Sequence, residues 1–487
     1  MDINKPSLKE HKLDKKRGKF ISPFNDVMGD KIKFTPWIDE RLPEYFWIGI
    51  ILFQYERKEG LKRVKSIVDK LAEIDKDIIV PAFSKILQMD NKKQQHFFEY
   101  IKKITTPYIL NPLSILYTYS EFPIFSKKCS MPNSDFKTRN EIIEKVLQET
   151  SNHQSNLSTD IRFIVIYYMI KIGKYVPLKT MLDELNTYPH IDHDNPKMHA
   201  IRPMIRVSEM MIPSMLGCNK KFCDDFWEKV SLVSDCELFM LKHEEKILNL
   251  EEYIKNINEI FKYYTDCYIA LEPLDKKLEV MLGIATYSLK LFLEIYEHNL
   301  QNSLIGRTSI RIMIENYIML KFLLTKENDN SYIWQEYQEY GLGAFKKIIA
   351  QYREMQKTEL SHIMYDYIEL LVNEHKDEMY QDIDIKYFAG DMREKATVVN
   401  EKCLWALCYQ YGASYSHGLW GAIRESCMLS CKNPSHHGHC VPDYENVQQL
   451  PSILEDSILL LNKTILLINA FYELPKDIYV ELIQFGK

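Results

Sequence analysis

Apolar residues in this chain recur mostly at every third or fourth position, and they seldom alternate with polar ones. That spacing places them along one side of an α-helix, so the pattern predicts an all-α protein. Glycine is too sparse to interrupt many helices, with 16 in 487 residues. In the first half of the chain we predict helices over 43–53, 61–74, 79–87, 92–104, 139–150 and 161–172.

The second half has broader apolar stripes, typical of a helical bundle. The predicted helices are 247–264, 274–297, 303–326, 333–358, 360–374, 395–431 and 450–472. A short link joins 274–297 to 303–326, which predicts an antiparallel hairpin. A chain of this length is expected to form more than one domain.

We therefore expect three parts along the chain. Residues 1–36 are a basic irregular arm, 37–240 an N-terminal helical domain, and 241–487 a C-terminal antiparallel helical bundle. The arm carries Lys12, Lys15, Lys16, Arg17 and Lys19. Two interpretations of it remain open, a solvated or docked tail and a phosphate-binding arm.

Composition narrows the classes of protein to which this chain can belong. The net charge of −6 gives no overall nucleic-acid character, so any such contact needs a local basic patch. Ten cysteines are too dilute for a disulfide scaffold. The polar, basic N-terminus lacks the apolar core of a signal peptide, and the apolar stretches are too short to span a bilayer. We expect a cytoplasmic protein without membrane contact.

A charged row marks the helix predicted over 303–326. Arg307, Arg311 and Glu315 are spaced four residues apart and so share one flank of an otherwise apolar helix. Because burying an unpaired charge is costly, this row must face either solvent or a polar pocket. The first alternative is a surface Arg–Glu pair, and the second is a functional site.

A second polar group lies within the helix predicted over 395–431. Tyr411, Ser414 and His417 wind along one side, with Arg424 on nearly the same face. Gly412, Gly418 and Gly421 crowd the same segment, which suggests that a backbone or a ligand approaches closely. Histidine is suited to acid–base chemistry near neutral pH. A buried histidine in a structural network is the alternative.

These two elements resemble the bacterial domain of unknown function 5677 family. The segments that carry the resemblance are Gly306-Arg-Thr-Ser-Ile-Arg-Ile-Met-Ile-Glu315, Tyr411-x-x-Ser414-x-x-His417-Gly and Asn433-Pro-Ser-His-His-Gly-His-Cys-Val-Pro442. Near the N-terminus, His11-Lys, Gly18-Lys, Pro23 and Trp37-Ile-Asp-Glu-Arg-Leu-Pro-Glu-Tyr-Phe-Trp47 resemble its extended members. Residues 130–240 have no counterpart there. The resemblance implies an all-helical fold without an established reaction.

The helical domain of that family is distantly similar to the HEPN superfamily, many of whose members are metal-independent ribonucleases in toxin, abortive-infection and anti-phage systems. This similarity implies a HEPN-like bundle in a bacterial defence or stress effector that cleaves or binds RNA and needs no cofactor. The residues that it implies for the site are Arg307, Arg311, Glu315, Tyr411, Ser414 and His417. Such sites are completed across a dimer, so we expect a homodimer or a higher oligomer.

One feature departs from that pattern. HEPN ribonucleases carry an arginine a few residues before the histidine, whereas the nearest arginine before His417 is Arg393. Arg307, Arg311 or Arg424 would have to supply the cation. The alternative function is a non-catalytic helical adaptor that senses a ligand or a partner protein encoded nearby in a defence system.

The segment after His417 is rich in metal-binding side chains. Thiolate and imidazole are preferred zinc ligands, but only Cys427 and Cys431 form a pair with short spacing. The candidate ligands are Cys427, Cys431, His436, His439 and Cys440. The alternative is a structured loop packed near the His417 helix. A second group, with His190, Asp192, His193 and Asp194, lies between turn-forming Tyr188-Pro189 and Asn195-Pro196 and predicts an exposed loop.

Overall fold

A computed structural model of the chain describes residues 8–29, 36–211, 219–240, 243, 248, 250–271, 275–355, 362–374, 376–383, 388, 391–445 and 449–478. Helices dominate and strands are few and short, which confirms the predicted all-α class. The chain divides into two compact units. The first comprises Met1–Phe239 and Ser430–Cys440, and the second comprises Met240–Leu429 and Val441–Lys487.

The first unit has a core of aliphatic and aromatic side chains that begins at Trp37. The helices of this unit are α1 (Pro23–Met28), α2 (Leu42–Phe53), α3 (Arg57–Ile74), α4 (Phe83–Leu87), α5 (Asn91–Ile104), α6 (Pro123–Cys129), α7 (Phe136–Ser151), α8 (Asn156–Lys171), α9 (Lys179–Thr187), α10 (Met198–Met211) and α11 (Lys220–Leu232). A π-helical turn, Trp37–Arg41, precedes α2. Helix α2 is apolar on nearly every face and is buried, and it contacts α3, α7, α8 and α11.

Short strands bring two distant segments together. β3 (Leu238–Phe239) pairs antiparallel with β4 (Met428–Cys431), with Leu238 opposite Cys431. β5 (Cys440–Pro442) lies on the other side of β4. The turn Pro434–His436 between β4 and β5 contacts α7 and α11.

The second unit is a bundle with its own aliphatic core. Its helices are α12 (Glu251–Ile269), α13 (Lys276–Glu297), α14 (Leu304–Lys326), α15 (Ile333–Glu354), α16 (Tyr365–Asn373), α17 (Met392–Val398), α18 (Lys402–Leu404), α19 (Gln410–Ser416), α20 (Trp420–Ser426) and α21 (Leu454–Asn469). The two helices of the predicted hairpin, α13 and α14, pack against each other and against α21. A π-helical turn, Trp405–Tyr409, runs directly into α19.

The prediction of an irregular N-terminal arm is wrong for residues 8–29. β1 (Lys12–Asp14) and β2 (Lys19–Ile21) form an antiparallel hairpin that is followed by α1. The Asp14 carboxylate accepts hydrogen bonds from the backbone N–H groups of Lys16 and Arg17, and Gly18 has a φ of +61°. These features build a tight turn from the basic run itself. Residues 1–7 and 30–35 of the predicted arm lie outside the described residues.

The single helix predicted over 395–431 is also wrong. Asn400 and Gly418 have φ values of +59° and +56°, and each ends a helical segment. Residues 428–431 form β4 instead. The apolar spacing continued through these breaks, and left-handed residues are hard to recognise without the structure.

Other boundaries shift by a few residues, and the predicted helix 79–87 is reduced to α4. Helices α9, α10 and α11 fall in the stretch for which we predicted no elements. The predicted positions 247, 274 and 356–361 lie outside the described residues. Within the described ranges, every helix is too short or too polar to cross a bilayer.

Candidate functional site

Helix α19 packs closely against α14, the helix that carries the charged row. A Cβ atom added at Gly412 would lie 2.8 Å from the Cβ of Arg311 and 3.0 Å from the carbonyl oxygen of Arg307. Only glycine fits at this crossing. The neighbour expected from the glycine-rich sequence is therefore the backbone of α14, within the same unit.

The end of α19 sets the position of His417. The backbone N–H of Leu419 donates to the carbonyl of Ser414 at 2.9 Å, and that of Gly418 donates to Tyr415 at 3.1 Å. This pair of bonds is a Schellman motif, which needs a left-handed residue at Gly418. His417 is consequently the C-cap residue, directly after the last residue of α19, and its side chain is exposed. Across the described residues, its imidazole has no hydrogen-bond partner.

Two tyrosines tie α19 to α20. Glu425 accepts a hydrogen bond from Tyr411 Oη at 2.9 Å and from Tyr415 Oη at 2.7 Å. Partial burial and the hydrogen bonds of Tyr415 to Tyr411 (3.1 Å between the two Oη atoms) and to Glu425 raise the pKa of Tyr415 well above its ordinary range, so this phenol stays protonated. Glu425 could not be selected from the sequence, because a continuous helix would not turn it back toward Tyr411. Among the described residues, the Ser414 hydroxyl donates within its own helix, to the carbonyl of Tyr411 at 2.6 Å.

Both arginines of the charged row are held within the second unit. Arg307 is buried and donates through Nη2 to the carbonyl of Pro451. Arg311 donates through Nη2 to Tyr409 Oη at 2.8 Å and lies over the Tyr409 ring. Its Nη1 is 3.7 Å from Glu315 Oε2, the ion pair expected from the sequence. Neither arginine contacts His417.

The surface around His417 is rich in exposed apolar side chains. Trp420 is 65% exposed, and Tyr411 and Leu419 are exposed as well. Beside them lies an open groove of about 280 Å³, whose lining includes Ile305, Tyr415 and Gly418. Aromatic side chains that point into solvent are suited to stacking on the bases of unpaired nucleotides.

A second group of reactive side chains lies in the first unit. One ligand atom from each of Cys236, Cys431, His436 and His439 falls within 4.8 Å of all the others. Partial desolvation and the adjacent Cys431 thiol raise the pKa of Cys236, although its side chain is exposed. The sequence pattern did not indicate Cys236, because it lies almost two hundred residues from the other three members of the cluster.

The other metal candidates lie outside this cluster. The structure brings together three of the five predicted ligands, Cys431, His436 and His439, and leaves out Cys427 and Cys440. His437 pairs with Asp39 instead, with 2.7 Å between Nε2 and Oδ1.

The loop that contains His190 and His193 forms ordinary contacts. His193 Nε2 is 3.1 Å from Asp160 Oδ2, and Asp192 lies 3.7 Å from Lys58. In the part of the chain that the structure describes, this loop supplies no metal-binding group.

Comparison with known proteins relates part of the chain to a protein family. Residues 278–436 match the family model described as a family of unknown function, DUF5677. The match covers about a third of the chain and supports the resemblance for that segment. It contains His417, Cys431 and His436, and it excludes Cys236 and His439. The similarity of the N-terminal segments to extended members stays a prediction.

The two remaining comparisons add no relative. No curated protein matches the chain. No solved structure matches it.

Proposed function

We propose that this chain is a bacterial defence or stress effector that acts on single-stranded RNA through a HEPN-like second unit. His417 is the acid–base residue of the proposed site. The observation that carries the proposal is the accessible imidazole of His417, which is exposed at the end of α19 and has no partner among the described residues. A histidine held in this way can reach a substrate proton.

The neighbouring side chains suit an unpaired RNA strand. Trp420 and Tyr411 offer exposed rings on which bases can stack. Glu425 holds Tyr411 in place through its carboxylate, so that this ring is fixed before RNA binds. Local features must provide the affinity, because the chain carries a net charge of −6.

The proposed reaction is cleavage of the RNA backbone by attack of its own 2′-oxygen. The 2′-oxygen of a ribose attacks the adjacent phosphorus while the bond to the 5′-oxygen breaks, which leaves a 2′,3′-cyclic phosphate and a free 5′-hydroxyl. His417 accepts the 2′-hydroxyl proton while solvent protonates the leaving 5′-oxygen, or, in its protonated form, it protonates the leaving oxygen while water accepts the 2′-hydroxyl proton. Arg424 or Arg311 stabilises the charge that develops on phosphorus. Arg311 must leave Tyr409 to do so.

The test compares His417 with a matched histidine. His298 ends α13 in the same way, since Leu300 N donates to Ile295 O at 2.8 Å and Asn299 N donates to Tyr296 O at 3.3 Å. His298 is exposed too. Labelled single-stranded RNA and transfer RNA are incubated with the wild-type chain, His417→Ala and His298→Ala. The buffer contains no magnesium and no chelator, so that any bound metal stays in place.

We expect cleavage by the wild-type chain and by His298→Ala, with a loss of about 10²-fold to 10⁴-fold in His417→Ala. Identical RNA profiles for the wild-type chain and His417→Ala would overturn the proposal. Equal losses in both variants would overturn it too, because the effect would not be specific to His417.

A second candidate is a non-catalytic adaptor that senses a partner protein or a ligand. The observation in its favour is that Arg307 and Arg311 are both engaged within the fold, on Pro451 and Tyr409 respectively. In that case no preparation cleaves RNA, and Arg311→Ala lowers the melting temperature because Tyr409 loses its partner. Retained melting temperature with lost RNA cleavage in Arg311→Ala would exclude the adaptor.

A further inference from the structure

We propose that Cys236, Cys431, His436 and His439 form a zinc site in the first unit, independent of the RNA-directed function. Cys236 Sγ lies 3.2 Å from His436 Nδ1 and 3.4 Å from His439 Nε2, and Cys431 Sγ lies 3.5 Å from His436 Nδ1. Zinc bonds of about 2.3 Å to sulfur and 2.0–2.1 Å to nitrogen imply tetrahedral edges of about 3.6 Å between the two atom types. These three sulfur–nitrogen separations are close to that edge length.

Backbone carbonyl groups fix the tautomers of both histidines. His436 Nε2 lies 3.0 Å from the carbonyl oxygen of Ser234, and His439 Nδ1 lies 3.1 Å from that of His436. A carbonyl oxygen only accepts, so each of these nitrogens carries the hydrogen. The opposite nitrogens, His436 Nδ1 and His439 Nε2, then have lone pairs, and these are the atoms that face the thiols. Such carbonyl contacts are typical of metal-bound imidazoles.

Hydrogen bonds between the two chain segments bring the ligands together. The Lys432 N–H donates to the Glu237 carbonyl at 2.8 Å, and Asn433 Nδ2 donates to the Asp235 carbonyl at 2.8 Å. These bonds align the segment around Cys236 with the segment around Cys431. The site is thus partly assembled by the β3–β4 pairing.

A left-handed turn places the two imidazoles side by side. His437 and Gly438 have φ values of +54° and +63°, which reverse the chain between His436 and His439. The two rings consequently stack with centroids 4.9 Å apart. A left-handed conformation is uncommon for a residue other than glycine, and His437 adopts it directly before Gly438. The turn brings His436 Nδ1 and His439 Nε2 to the Cys236 thiol.

The donor set selects the metal and its role. Two thiolates and two imidazoles in a tetrahedral arrangement favour zinc over magnesium, calcium or square-planar copper(II). Four protein ligands fill the coordination sphere and leave no position for water, as in structural sites. The bound zinc would therefore cross-link Cys236 to the β4–β5 segment, two parts of the first unit that are far apart in sequence.

The experiment measures metal in the full chain. The reduced protein is purified without chelator, zinc is quantified by mass spectrometry, and cobalt(II) is then exchanged into the site. We expect about one zinc per chain and the visible absorption of tetrahedral cobalt(II) with thiolate ligands. Cys236→Ser and His439→Ala are compared with Cys440→Ser and Cys427→Ser, which change cysteines on the same segment outside the cluster.

Loss of zinc in the first two variants and its retention in the last two would support the site. Circular dichroism of each variant shows whether it has folded, and the cobalt spectrum of the wild-type chain tests the site without any substitution. A wild-type chain that binds neither zinc nor cobalt(II) would overturn the proposal. Equal zinc loss in Cys440→Ser would overturn it too.

Discussion

The thiol–imidazole cluster of the first unit and the polar helix pair of the second unit differ in how their side chains are used. Four ligand atoms of the cluster converge within 4.8 Å, although Cys236 is remote from the others in sequence. The residues of the helix pair are close in sequence and share helix faces, yet Arg307, Arg311 and His417 each have a different environment. Convergence in space is thus the stronger indication of a binding site than proximity along a helix.

Metal removal should give the largest effect. A ligand present at a thousand times its dissociation constant stabilises the folded state by about 4 kcal/mol, so chelation should lower the melting of the first unit by on the order of 10 °C. Calorimetry with and without a zinc chelator measures this shift. The second unit has none of the four ligands, and its transition should stay in place. An unchanged thermogram would show that zinc at the cluster does not stabilise the first unit.

Gly412→Ala should give the next largest effect, this time in the second unit. The added Cβ meets the backbone oxygen of Arg307 and the Cβ of Arg311, so α14 and α19 must separate. Overpacking of this kind costs about 1–3 kcal/mol. The matched change is Gly421→Ala, because a Cβ there meets nothing within 4 Å. Urea unfolding should show a loss for Gly412→Ala only, and similar midpoints for both variants would contradict the close helix crossing.

Chelation and Gly412→Ala together also assign each calorimetric transition to one unit. Gly412→Ala should move the transition that the chelator leaves in place. If chelation and Gly412→Ala moved the same transition, the two units would unfold together, and their stabilities could not be compared separately.

The sequence predicted the fold class and most long helices because apolar periodicity persists through them. α13 and α14 end where their stripes end. The sequence failed at Gly418 and Asn400, where a single left-handed residue breaks a helix while the apolar spacing continues. It also failed in the N-terminal arm, where a turn built on Asp14 forms a hairpin.

The candidate sites were predictable only in part. His436 and His439 could be found, because they lie close together on one loop with Cys431. Cys236 could not, since only the β3–β4 pairing brings it to them. The contact of Glu425 with Tyr411 could not be predicted for a similar reason, because it depends on the break in the helix at Gly418. Contacts made by distant segments leave no pattern along the chain.

Glu425→Gln should have a smaller effect on the second unit. The change keeps the shape of the side chain. It replaces the charged carboxylate, whose two oxygens accept hydrogen bonds from Tyr411 and Tyr415, by a neutral amide. We expect a loss of about 0.5–1.5 kcal/mol, in the range of a single net hydrogen bond. Urea unfolding measures it, with Glu259→Gln as the control because Glu259 is exposed on α12. Equal midpoints for both variants would mean that the tyrosine pair does not hold α19 to α20.

His417→Ala should have the smallest effect on stability. Its imidazole is exposed and unpaired among the described residues, and surface substitutions of this kind usually change the free energy of unfolding by less than about 0.5 kcal/mol. His298→Ala, at the equivalent position of α13, should behave identically in thermal unfolding. A drop of several degrees for His417→Ala alone would reveal a structural network around it, and a loss of RNA cleavage in that variant would then reflect folding. Equal melting with unequal cleavage would assign His417 to the chemistry, because the two histidines share their backbone geometry and differ in what surrounds them.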